Sequence, residues 1–128
     1  MIRPLTDAGV ETRAPFLRKT FSLDARPAEA TLRISALGLY RALINGKRVG
    51  SDQLTPGWTV YDQRLAYQTY PVGDLLKAGE NTIDIWLGDG WMRSQMGWRG
   101  NAVFNTWGDV IGAIAEIETG DKLSLIHI

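Results

Sequence analysis

Within LGDGWMRSQMGWRG, Leu87 to Gly100, stand two tryptophans, two arginines, an aspartate and four glycines. Those residue types suit the binding of carbohydrate. Aromatic faces take the C–H surface of a sugar ring, and charged or amide groups take its hydroxyls. Arginine offers a planar fork of donors. Tryptophan sets an indole N–H beside an apolar ring, and ordered water completes such half-wet sites. Asp89, Trp91, Arg93, Trp98 and Arg99 are therefore the candidate carbohydrate-binding residues. A second reading stays open, in which the rings cap the end of a sandwich or pack against a neighbouring domain. Gly88-Asp89-Gly90 is not expected to cradle phosphate, because no helix is expected after it to supply an N-terminal dipole.

The elements that must hold this stretch read as strands. Apolar residues alternate at period two in Phe16–Leu23, Ala30–Leu37, Asn81–Gly88 and Val110–Glu118, the mark of half-buried β-structure. Ile83, Ile85 and Leu87 share one face, with Asp84 and Trp86 on the other, and Ile111, Ala113, Ala115 and Ile117 also share a face. Leu39–Gly50 is a hairpin, since Asn45-Gly46 supports the two positive φ angles of a type I′ turn. Leu65–Val72 carries Tyr67 and Tyr70 on a strand that Pro71 confines to a sheet edge. Asp74–Asn81 is expected to make one helical turn stopped by Gly79. Pro56-Gly57 reads as a type II turn, Trp58 as a core or rim plug, and Asp62 with Arg64 as a solvated ion pair. Strands recurring every ten to fifteen residues, with no long helix between them, predict an all-β, antiparallel β-sandwich. Residues 51–64 and 88–109 are its two long connections, and loops of that length in a compact domain are functional or packed covers.

Composition narrows the function. Acidic and basic residues balance at 14 each, and no basic run interleaves with aromatics, so nucleic acid is not an expected partner. The chain has no cysteine, which removes disulfides and thiolate metal sites. No window reaches the ~20 apolar residues of a membrane span. The N-terminus shows no signal peptide, which leans toward the cytoplasm without fixing the compartment. At 128 residues one domain is expected, with residues 1–14 an extended lead-in of little core and 15–122 the sandwich. No carboxylate pair has an argument for catalysis, so the chain by itself is not expected to be an enzyme.

An ordered run of motifs carries a family resemblance from Arg18 to about Glu118. It comprises Gly38-Leu39-Tyr40, Asn45-Gly46 with Val49-Gly50, Pro56-Gly57-Trp58, Tyr61, Tyr67 with Thr69-Tyr70, Gly79-Glu80-Asn81 and Gly88-Asp89-Gly90-Trp91. Together they resemble the N-terminal module of bacterial α-L-rhamnosidases. The resemblance implies a jelly-roll sandwich of the galactose-binding-like type. It also implies a parent glycoside hydrolase that removes terminal α-L-rhamnose with inversion, through carboxylates of a separate helical-barrel domain. The partners implied are rhamnose-containing glycosides and the catalytic and other β-sandwich domains of the parent. Some relatives bind rhamnose with a calcium ion, for which Asp89 is the local candidate ligand. Two other readings remain, an autonomous rhamnose-binding lectin-like module and the sugar-binding-like domain of another glycoside hydrolase such as a β-galactosidase or β-glucuronidase. The final LSLIHI, Leu123–Ile128, matches one reading frame of a sequencing adapter. The expectation is a non-native tail on a gene cut near Lys122, which leaves His127, the one histidine, without function.

Overall fold

The computed structural model describes residues 1–98 and 101–120. Arg99 and the tail 123–128 with His127 lie outside the described residues. Among the described residues there are seven strands: β1 (Phe16–Leu23), β2 (Ala30–Leu37), β3 (Leu39–Ile44), β4 (Lys47–Arg48), β5 (Gln68–Pro71), β6 (Gly79–Gly88) and β7 (Gly112–Thr119). They form two antiparallel sheets, one ordered β1-β6-β3-β4 and the other β5-β2-β7. The result is the expected antiparallel β-sandwich. Among the described residues no helix is long and apolar enough to cross a membrane.

The pleat explains which residues fill it, because alternate side chains of a strand face opposite sides. Ala42, Ile44, Ile83, Ile85 and Leu87 point inward from one sheet and Leu32, Ile34, Ala113, Ala115 and Ile117 from the other. Each fully buried Leu or Ile contributes roughly 1.5–3 kcal/mol relative to exposure. The core is therefore mainly aliphatic, with Tyr40 the one buried ring among the described residues. In β1, Leu17, Phe21 and Leu23 pack against the core, but Phe16 turns outward and meets Trp86.

Two tight positions set the topology. Gly38 carries the chain from β2 in one sheet to β3 in the other at φ +100°, and a Cβ there would lie 2.3 Å from the carbonyl oxygen of Gly88. Asn45 and Gly46 take φ +50° and +79° between β3 and β4, as the hairpin turn requires. Asn45 does more than turn. Its amide donates to the Leu75 carbonyl (2.9 Å) and to Oδ1 of Asn81 (2.8 Å), and its own Oδ1 accepts from the Thr82 N–H (3.0 Å). Asn81, fully buried, also binds the backbone of Lys77 and Gly79. This amide pair ties the hairpin end to the start of β6 and satisfies groups that burial would otherwise orphan.

Several local expectations differ from the fold. The helical turn is a 3-10 turn at Gly73–Leu75, and Gly79, at φ +80°, opens β6 instead of capping a helix. The Thr55–Pro56 peptide is cis, and Gly57 after it takes φ +93°. Asp62 and Arg64 are exposed and form no ion pair among the described residues. Trp58 is a half-exposed rim residue. One helical turn, α1 (Gly90–Arg93), does follow Gly88-Asp89. At four residues it carries no useful dipole.

Candidate binding surface where the two long loops meet

The loop 88–109 is built upward from one buried cation. Asp89 and Arg93 are four apart across α1, the spacing at which helical side chains meet. Arg93 Nε donates to Asp89 Oδ1 at 2.6 Å. Its Nη1 and Nη2 donate to both oxygens of Asp7 at 2.6 and 2.7 Å, and Nη1 also donates to the Asp109 carbonyl at 3.0 Å. The Arg93 side chain is 2% exposed. A buried guanidinium is tolerable only when its donors are met by good acceptors, and here they are. The Asp7 bond holds the Arg93 pKa above its ordinary value. The same bond draws the Asp7 carboxyl below its own, against an opposing desolvation. Asp89 Oδ2 accepts the Glu11 N–H at 3.0 Å, so both of its oxygens are engaged.

This network fixes the rest of the loop. The Asn105 N–H donates to the Arg93 carbonyl (3.1 Å) and the Trp107 N–H to the Met92 carbonyl (3.2 Å). Farther out, Met96 and Val103 exchange hydrogen bonds of 2.9 and 2.8 Å as a small bridge. Trp98 stands beyond that bridge and is 90% exposed. From the other long loop, Trp58 lies nearly parallel to Trp91, with ring centroids 6.4 Å apart and planes 5° apart. Tyr61 meets Trp107 edge-on at 5.9 Å. Trp58 is 56% exposed, and the buried Nε1–H of Trp107 has no acceptor among the described residues. A buried donor in that state calls for an acceptor from water or ligand.

The structure thus divides the sequence candidates. Trp91 and Trp98 belong to a ring-bearing surface, Trp91 half-buried and Trp98 at its tip. Asp89 and Arg93 lie beneath it, bound to each other and to the lead-in. Arg99 is outside the described residues. Trp58, Tyr61 and Trp107 join the surface from positions that no periodicity marks. The Asp89–Arg93 spacing signals their pairing in sequence, whereas nothing local signals Asp7, 86 residues away. Calcium takes about six to eight oxygen ligands. The donor set around Asp89 fits a guanidinium instead, and among the described residues no cluster of three or more His, Cys, Asp or Glu is placed to hold a metal.

A second apolar area lies on the outer face of the four-stranded sheet. Phe16 and Trp86 are cross-strand partners with centroids 5.0 Å apart. Beside them Arg18 forms a two-point ion pair with Asp84 (2.6 and 2.9 Å) and Leu54 stands exposed at φ +54°.

Residues 25–124 match the family described as the alpha-L-rhamnosidase N-terminal domain. An α-L-rhamnosidase of Streptomyces avermitilis is 38% identical over 112 residues, which are 87% of this chain and 11% of that protein. One from Formosa agariphila is 36% identical over 116 residues, 89% of this chain and 12% of that protein. The native α-L-rhamnosidase of Aspergillus terreus superposes with a TM-score of 0.83 at 37% identity, covering 98% of this chain and 15% of that one. The S. avermitilis enzyme complexed with L-rhamnose superposes at 0.74 and 36% identity, covering 88% of this chain and 11% of that one. The chain therefore spans about a tenth of the length of the curated relatives it matches.

Proposed function

Because the chain belongs to the α-L-rhamnosidase N-terminal domain family, we propose that it is a non-catalytic module of a larger α-L-rhamnosidase, recognising rhamnosides and docking to the parent's other domains. The observation that carries recognition is the parallel Trp58–Trp91 pair, with the Trp58 ring 56% exposed, together with Trp98 standing 90% exposed on the same loop as Trp91. Exposed rings offer the flat apolar faces that sugar C–H surfaces stack on. The solved relative complexed with L-rhamnose supports the ligand class. Docking is supported by the Phe16–Trp86 face and by relatives far longer than this chain.

Catalysis is assigned elsewhere in the parent. Inverting hydrolysis needs a carboxylic acid with a raised pKa opposite a carboxylate base. Here Asp7 is pulled the other way by Arg93, and Asp84 and Glu118 hold Arg18 and Arg33. The purified chain is expected to leave an aryl α-L-rhamnoside intact.

Recognition is tested by NMR titration with L-rhamnose, with and without calcium. A few stacking and hydrogen-bond contacts give an expected Kd on the order of 0.1–1 mM, about −4 to −5.5 kcal/mol. Shifts of the Trp58, Trp91 and Trp98 indole resonances, abolished by Trp98→Ala or Trp91→Ala, are the expected result. No shift of any loop resonance at tens of millimolar sugar refutes the recognition reading.

A further inference from the structure

We infer that residues 1–14 are a strap that sets the ring-bearing loop, with Asp7 and Arg93 as its positioning residues. The inference rests on the recognition reading for its purpose, but its mechanism stands on geometry alone.

None of residues 1–14 is buried, so the segment adds almost nothing to the core. It is held at a few defined points. Ile2 exchanges backbone hydrogen bonds with Ala113 (2.8 and 3.0 Å) at one end, and the Pro15 carbonyl accepts the Leu87 N–H (3.0 Å) at the other. Between them Asp7 takes two bonds from Arg93, the Gly9 carbonyl lies 3.4 Å from Nη2, and the Glu11 N–H donates to Asp89. The middle of the segment therefore grips one guanidinium and its other carboxylate, and little else.

That guanidinium is the loop's fulcrum. Arg93 joins three stretches of chain: the strap through Asp7, the loop's beginning through Asp89 and its end through the Asp109 carbonyl. Trp91 lies two residues before Arg93 on the same helical turn, and the Trp107 backbone hangs from Met92. Deprived of Asp7, Arg93 loses the partner that meets two of its three side-chain nitrogens at short range. A guanidinium left buried with unmet donors is costly, and swinging outward to water is the relief open to it. That motion carries α1 with it. The Trp58–Trp91 and Tyr61–Trp107 contacts then loosen together, while the two sheets, whose core contains none of these residues, stay closed. A segment that displaces the strap would reshape the surface without unfolding the domain.

The test uses the chain carrying Asp7→Asn, the chain lacking residues 1–8, and Asp7→Glu as the conservative variant. Hydrogen exchange is followed residue by residue, with NOEs between the Trp58 and Trp91 rings. Expected in the first two variants is faster exchange at the Ser94, Asn105 and Trp107 amides, roughly ten- to hundredfold for a lost charge-assisted pair. The ring NOEs weaken, β2 and β6 keep their protection, and Asp7→Glu restores part of the loop's. Unchanged loop exchange and NOEs in both variants overturn the inference. So does a loss of protection spread equally through β2 and β6, which marks a role in global stability alone. L-rhamnose titration of the same proteins separates this from the recognition reading. If the loop answers to Asp7 and the unaltered chain binds no rhamnose, the strap stands and recognition falls.

Discussion

The division between packed and displayed tryptophans yields different energies for rings on the same loop. Trp98 is 90% exposed, so folding hides little of it, and Trp98→Ala is expected to cost under about 0.5 kcal/mol. Trp91 is partly buried and stacks on Trp58. A fully buried ring costs about 3–5 kcal/mol on truncation, and partial burial scales Trp91→Ala to roughly 1.5–3 kcal/mol. Trp58, more than half exposed, is held chiefly by the stack, which sets its loss near 1 kcal/mol. The pair itself is then readable as a coupling of about 0.5–1.5 kcal/mol in a cycle of both single variants and the double variant. Urea unfolding at neutral pH, followed by far-ultraviolet circular dichroism, supplies the four free energies. A Trp98→Ala loss equal to that of Trp91→Ala would refute the displayed tip. Additivity of Trp58→Ala and Trp91→Ala within error would refute the stack as a structural unit.

Two further expectations concern polar groups. Asn81→Ala removes four hydrogen bonds at a fully buried position and orphans backbone groups of Lys77 and Gly79. A loss of about 3–5 kcal/mol is expected, read as a lower urea midpoint, and a loss below about 1 kcal/mol would contradict the network. Asp7 has a folded pKa below its ordinary 3.8, chiefly through the Arg93 hydrogen bond. Its contribution is therefore complete above the unfolded value and fades as pH falls through the folded one. The difference in protection of the Ser94, Asn105 and Trp107 amides between the unaltered chain and Asp7→Asn, corrected for intrinsic exchange, should be constant from pH 7 to about 5 and shrink below about pH 4; a difference that grows on acidification would reverse the assigned shift.

The regular half of this fold was legible because burial imposes a period on a strand. Phe16–Leu23 and Ala30–Leu37 fall where the alternation places them, and Asn45-Gly46 turns as its two positive φ angles demand. Phe16 shows the limit. A strand with apolar residues on both faces does not declare which face is core, and here the outward ring is claimed by Trp86 across the ladder. The candidate surface was legible in composition but not in arrangement. Trp91 and Trp98 stand out by type, yet the partnership of Trp91 with Trp58 joins two loops that share no period. Arg93 reads as a surface donor because charged residues are rarely buried. Its burial becomes tolerable when an acceptor 86 residues upstream joins Asp89 and the Asp109 carbonyl around it. Asn81 hid for the same reason, since its four bonds converge from the hairpin and from its own preceding turn.

The placement of the five tryptophans is itself an argument about function. A small sandwich gains most per residue by burying its largest rings, yet the buried core of this one contains no tryptophan at all. Exposed rings cost solubility and invite association, so keeping them outside needs a compensating contact. Four of them (Trp58, Trp91, Trp98 and Trp107) gather on the loops at one end, where two are paired and one stands free. The fifth, Trp86, lies on a flat sheet face, braced by Phe16 and bordered by the Arg18–Asp84 pair. These surfaces differ in how they are held. A ladder fixes Trp86 through β1 and β3 on either side, which suits an aromatic anchor in a standing protein interface, where such residues concentrate binding energy. The loop rings depend on a single buried guanidinium and on a lead-in gripping it from outside the core. On the proposed strap mechanism their geometry would be adjustable where that of Trp86 is held by the ladder, and an adjustable ring surface would suit a ligand that comes and goes.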